Sequence, residues 1–157
     1  MLDIAQFRSL IIRPALEAID LHSEAAEELV LGTALQESNL KYLKQLGNGP
    51  AIGLWQMEPS THADIWTNFL KYRPELAFKL RALLPRDSEI GFAQQMAGNL
   101  WYGAAMCRVH YFRRKEPLPK AGDIVAQSLF WKRTYNTNLG KGTAAEYQEK
   151  WREYMRP

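Results

Sequence analysis

One cysteine, three histidines and the lack of any long apolar run set the first limits on this 157-residue chain. A single thiol, Cys107, excludes an intrachain disulfide. Its setting, Ala104-Ala105-Met106-Cys107, reads as an apolar helix face and an inert buried thiol. His22, His62 and His110 lie far apart, with no His-Glu-x-x-His or Cys/His ligand spacing around them. Neither a metal nor a cofactor is therefore expected. No segment approaches the ~20 apolar residues of a membrane span. The opening Met1-Leu2-Asp3-Ile4-Ala5-Gln6-Phe7 lacks a basic lead, an unbroken apolar stretch and a small-residue cleavage site. A soluble product made in the cytoplasm without a signal peptide is the expectation.

Charge of one sign is also scarce. The net charge of +3 and a pI near 9.0 are mildly basic, and Arg108, Arg113, Arg114 and Lys115 make the nearest thing to a basic stripe. They fall at an expected helix end, where cations suit the helix dipole, so a nucleic-acid partner is not favoured. What the chain does contain is ordinary: 46% hydrophobic, 24% charged and 11% aromatic residues. This is enough for a single domain over residues 1–157 with a substantial core.

Apolar spacing follows the helical period almost throughout, and no segment reads as a strand, so the predicted class is all-α. A first helix is expected near residues 2–20, kinked or broken at Pro14. Ser23 caps a second that runs to about Glu37, with Glu24 and Glu27 in its first turn. Gly47, Asn48, Gly49 and Pro50 form a breaker cluster. Pro59-Ser60 and Pro74 open two further helices. Residues 88–114 read as one long central helix, with Phe92, Met96, Leu100, Gly103, Cys107 and Tyr111 on one row and Ala93, Ala97, Trp101, Ala104 and Ala105 on another. Gly98 and Gly103 are expected to allow close packing. A helix over residues 123–134 follows, and Thr143 with Glu146 forms a capping box for the last.

Glu37 is the first candidate for chemistry. The negative end of the helix dipole and the neighbouring Ala34, Leu35 and Leu40 both disfavour its charged form, which raises the pKa as a general acid requires. A solvated glutamate at a helix end is the alternative reading of the same residues.

Three ordered elements weigh on that choice: Glu37-Ser38, then Gly53-Leu54-Trp55-Gln56-Met57-Glu58-Pro59-Ser60-Thr61, then Tyr135-Asn136. Together they resemble the lysozyme-like superfamily, in particular lytic transglycosylases and goose-type lysozymes, over roughly residues 24–140. Trp55 stands where the family usually has methionine, and Asn99-Leu100 with Gly103 resembles the family's Asn-x-x-x-Gly helix. The sequence departs after Asn136, where Thr137-Asn138-Leu139-Gly140 displaces the family's glycine. The resemblance implies a helical domain with a buried central helix and a substrate cleft. It also implies cleavage of peptidoglycan glycan strands between N-acetylmuramic acid and N-acetylglucosamine. Carried over, it makes Glu37 the proton donor and gives Ser38, Gln56 and Met57 substrate-binding positions. Tyr135 would support Glu37 or the adjacent sugar, and Asn136 would brace its loop.

Glycoside hydrolysis generally needs a second group besides the acid. Similarity to goose-type enzymes offers Glu58, two positions after Gln56, with His62 nearby; Asp64 is a more remote choice. Similarity to lytic transglycosylases offers the substrate's own acetamido group and a 1,6-anhydro product. Glu58 also suits a helix start through the dipole alone. Two other functions stay open at this point: an inactive lysozyme-like virion protein that binds glycan, and a basic helical nucleic-acid binder. The missing signal fits a bacteriophage origin, with other virion proteins or a holin as delivery partners. The C-terminal helix carries Trp151 and Tyr154 at i,i+3 spacing, suited to internal packing or to a partner.

Overall fold

A computed structural model describes residues 1–137 and 140–156. Asn138 and Leu139, part of the displaced-glycine segment, lie outside the described residues. The fold is helical, and among the described residues there is no strand, only isolated bridges Lys44–Ile52 and Ile52–Met57. We number the helices α1 (residues 4–18), α2 (Glu24–Ser38), α3 (Pro59–Asn68), α4 (Pro74–Ala82), α5 (Gln95–Gly98), α6 (Leu100–Phe112), α7 (Ile124–Trp131) and α8 (Ala144–Tyr154). None is long and apolar enough to cross a membrane.

Local chemistry explains most of the boundaries. Ser23 accepts the amide of Ala26, and Thr143 with Glu146 forms both halves of the capping box, so α2 and α8 start where expected. Pro59 and Pro74 occupy the first turns of α3 and α4. Pro14 does not break α1. A π turn at Arg8–Ile12 widens the helix just before it, with the Arg13 amide bonding to the Arg8 carbonyl, and the helix then continues to Ala18. The wider turn accommodates the missing proline N–H.

The long helix expected over residues 88–114 is corrected by the structure. It starts only at Leu100, because the Asn99 side chain accepts the Tyr102 amide at 3.0 Å and donates to the Leu83 carbonyl at 2.8 Å. Asn99 thus works as an N-cap, and the apolar rhythm continues across the break. Phe92 leaves the expected row and stands against His62 and Trp66. Gly103 does permit close packing, since a Cβ there would lie 2.9 Å from the Trp55 ring. Gly98 has open space around it and serves no such contact.

Helix α6 is apolar nearly all round because it runs between two cores. Ala104, Cys107 and Tyr111 face the cluster that includes Leu16, Leu31, Leu35 and Trp55. Tyr102, Ala105, Met106 and Val109 face the one with Ile65, Leu70 and Leu80. Each large side chain buried this way contributes roughly 1.5–3 kcal/mol. Trp151 and Tyr154 pack partly buried against the first cluster, which satisfies the internal reading of α8.

An ionic cluster ties α1 to α2. Glu27, almost fully buried, accepts from Arg8 Nε at 2.5 Å and Arg13 Nε at 3.0 Å, and bonds to His22 Nε2 at 2.9 Å. Burial pushes its carboxyl up, but the bonds from Arg13, His22 and Arg8 overcome this and hold it at about 2.

Candidate active-site groove

The sequence elements singled out above meet at one groove of about 850 Å³, lined among others by Glu37, Gln56, Met57, Glu58, Tyr135 and Asn136. Helix α2 brings Glu37 there at its penultimate position. The chain then leaves through Asn39 and Leu40, both in the left-handed region at φ 52° and 53°. Gln56 (φ 45°) and Thr137 (φ 66°), on other walls, are also left-handed non-glycine residues. Backbone of this kind costs on the order of 1–3 kcal/mol per residue and concentrates at functional sites.

Glu37 is partly buried, and Ala34, Leu35 and Leu40 close to it in the chain are buried. Its Oε1 accepts the indole N–H of Trp131 at 2.9 Å. Desolvation raises its pKa to about 7, against opposing effects from that hydrogen bond and from the ammonium groups of Lys150 and Lys132. The carboxyl is thus half protonated near neutrality and faces a groove, a combination that suits proton donation.

A small knot of backbone carries Gln56. Ile52 and Met57 exchange amide–carbonyl bonds at 3.0 and 3.1 Å, and the Gly53 amide donates to the Leu43 carbonyl. Gly53 must be glycine: its φ is 78°, and a Cβ would sit 2.3 Å from the Met96 carbonyl oxygen. Trp55 turns inward, donates to the Val30 carbonyl at 2.9 Å and stacks on Phe7. Gln56 turns outward to the groove, with its Nε2 donating to the Gly53 carbonyl at 2.9 Å. Its amide therefore supports the turn that presents it. Met57 lines the groove while its own backbone groups are engaged with Ile52.

Tyr135 lies in a π turn, Lys132–Asn136, that continues α7. Its hydroxyl donates to the Trp55 carbonyl at 2.6 Å, joining the two walls, and not to Glu37. Burial, then Cys107 and Glu37, push the phenol pKa well up, so it stays a neutral donor. Asn136 accepts from Lys132 Nζ at 2.6 Å, and the same ammonium donates to the carbonyls of Gly140 at 2.9 Å and Gly142 at 2.7 Å. Lys132 is the centre of this loop, and Asn136 is one of the groups it holds.

The remaining candidates divide between the groove and the rest of the fold. Ser38 is buried, with its hydroxyl donating to the Ala34 carbonyl at 3.0 Å, and it is not part of the groove lining. Glu58 lines the groove from an exposed position at the start of α3, contacted by Ser60 Oγ at 3.3 Å. Asp64 pairs with Arg113 at 2.6 Å away from the groove lining. His62 is buried against Tyr102, at 2.6 Å from its hydroxyl, and desolvation holds its pKa down to about 4. The basic stripe is dispersed: Arg108 is buried and donates to the Leu21 carbonyl, Arg113 meets Asp64, and Arg114 donates to the Thr134 carbonyl. Among the described residues no cluster of metal-ligating side chains occurs.

Four residues of the site went unnoticed in the sequence: Trp131, Lys132, Lys150 and His110. His110 lines the groove edge-on to Tyr135, with ring centroids 4.8 Å apart. Burial first, then Arg113 and Arg114, lower its pKa to about 3, so the ring is neutral. In sequence His110 is one of three separated histidines and Trp131 falls inside the expected helix over residues 123–134, and nothing local marks either as part of a site. Lys132 had one usable signal, its position one helical turn before Asn136.

Comparison with protein-family models, curated proteins and solved structures gave no match.

Proposed function

We propose that this chain cleaves the glycan strands of peptidoglycan between N-acetylmuramic acid and N-acetylglucosamine, with Glu37 as general acid. The observation that carries the reading is the Glu37 carboxyl itself: in a groove, desolvated to a pKa of about 7, and oriented by the Trp131 indole. The position of Gln56, Met57, Tyr135 and Asn136 along the same groove supports it. So does the resemblance of these elements to lysozyme-like enzymes, in which such a groove is the substrate cleft.

In this reading Glu37 gives its proton to the glycosidic oxygen as the C1–O bond breaks and positive charge develops on the sugar ring. Two routes complete the step. Glu58 takes a proton from water that adds to C1, leaving a reducing end; Glu58 then releases that proton to solvent and Glu37 takes one up. Alternatively the acetamido carbonyl attacks C1 and the sugar's own 6-hydroxyl displaces it. That hydroxyl returns its proton to Glu37, and a 1,6-anhydro ring forms without net water. Glu58 is the second carboxylate lining the groove, and its exposed position matches a base that receives water from bulk solvent.

Purified glycan strands incubated with the protein decide the matter, and mass spectrometry separates the routes because the two products differ by one water. Fragments of either kind support the proposal. Folded protein that binds the strands and releases no fragments would show a glycan-binding protein instead.

A further inference from the structure

The groove has a cationic wall, Lys141 and Lys150, to which the acid chemistry assigns no contact with substrate. Lys150, in α8, is half-buried and donates to the Gln36 carbonyl at 2.8 Å, which places its ammonium beside the residue preceding Glu37. Lys141 is exposed at the same groove, between two glycines whose carbonyls are both held by Lys132. The backbone on each side of Lys141 is therefore pinned, and its side chain is presented from a fixed turn. Among the described residues neither Lys141 nor Lys150 has a carboxylate within ion-pair distance.

The carboxylates that act on Lys150 do not cancel its charge. Glu146 and Glu153 share α8 with Lys150 and act on it from a distance. The Glu146 carboxylate accepts the Thr143 amide at 2.9 Å in the capping box. Glu37 is half neutral near pH 7, and Glu58 is carried by a different element, at the start of α3. His110 adds no charge. Desolvation lowers the Lys150 pKa, the mark of an ammonium that has given up part of its water without a full partner.

We propose that Lys141 and Lys150 bind a carboxylate carried by the oligosaccharide, making the groove selective for acidic, substituted glycan over a neutral strand. The inference rests on the glycan reading of the same site. A lone amine on a flexible stem recognises an anion by charge rather than by a planar fork, so it accepts either available carboxylate: the lactyl acid on the sugar or the terminal acid of an attached peptide. A partly desolvated ammonium gains more from such a partner than one in open water.

Binding by the Glu37→Gln protein tests this without turnover. Three oligosaccharides of equal length serve as probes: a peptide-bearing muramyl strand, the same strand stripped of peptide, and a neutral N-acetylglucosamine oligomer. The expected result is affinity for an acidic probe at least about tenfold above the neutral one, fading with added salt. Lys141→Gln and Lys150→Gln should each bring that ratio toward one. Preference for the stripped strand over the neutral oligomer assigns the lactyl acid, and preference for the peptide-bearing strand alone assigns the peptide acid. A ratio near one before any lysine is changed, or one that survives both changes, overturns the proposal. Discrimination in binding by a protein whose wild type never cuts glycan would sink the enzymatic reading and leave the cationic wall standing. Cleavage without discrimination would do the reverse.

Discussion

Trp131 donates its indole N–H to Glu37 Oε1 at 2.9 Å across 94 residues of sequence. Burial raises the pKa, the donor hydrogen-bonds the charged form and lowers it, and the balance leaves the carboxyl at about 7.

Removing the donor should tilt that balance. In Trp131→Phe the carboxylate loses a charge-assisted bond typically worth about 1.5–3 kcal/mol, which corresponds to a rise of about one to two pKa units. A carbon-13 titration of Glu37, or the alkaline limb of the pH–rate profile, should move up accordingly. An unchanged or lower midpoint would mean that the indole does not set the proton affinity.

The Glu27 cluster predicts an acid-sensitive joint between α1 and α2. A carboxyl held at about 2 in the fold binds fewer protons than the unfolded chain, whose ordinary value is 4.5. Its stabilisation is complete above that value and is lost as pH falls through 4.5 toward 2. Glu27→Gln should lower stability at pH 7 by about 3 kcal/mol and flatten the dependence over that window, as read by urea unfolding at a series of pH values.

Buried histidines act over a different window. The folded pKa values of His110 and His62 lie at about 3 and about 4, below the ordinary 6.5, so the unfolded chain again binds the extra protons. Stability should be full above pH 6.5 and should decline on acidification toward those values. His110→Phe should remove part of that slope; the same unfolding series with an unaltered slope between pH 6.5 and 4 would contradict the burial argument.

Gly53 shows how local chemistry and tertiary contact combine. Gly53→Ala places a side chain at φ 78° and within 2.3 Å of a backbone carbonyl oxygen. Left-handed backbone alone costs about 1–2 kcal/mol. A larger total loss is expected, seen as a lowered thermal midpoint, together with weakened glycan binding because the Gln56 turn is displaced.

Much of the fold was legible because its signals are local. Ser23, Pro59, Pro74 and the Thr143–Glu146 pair each mark a helix start by satisfying or sparing backbone donors within one turn. The 88–114 segment misled because apolar spacing continued through Asn99, while the break depends on a side chain capping Tyr102 and reaching Leu83. The site divides in the same way. Glu37, Gln56 and Tyr135 come from separate elements that are short and readable in sequence, and they line one groove. Trp131 and His110 depend on contacts between distant segments, of which composition and periodicity carry no trace; Lys132 had only its spacing of one helical turn from Asn136.

Paired incubation of purified glycan strands with wild type and Glu37→Gln asks whether the Glu37 proton is the one delivered to the glycosidic oxygen. The substitution keeps the shape and the ability to bond to Trp131 but removes the transferable proton. Wild type should release fragments steadily, and Glu37→Gln should lose activity on the order of 100-fold or more with binding retained. Equal cleavage by the two proteins would contradict that role for Glu37.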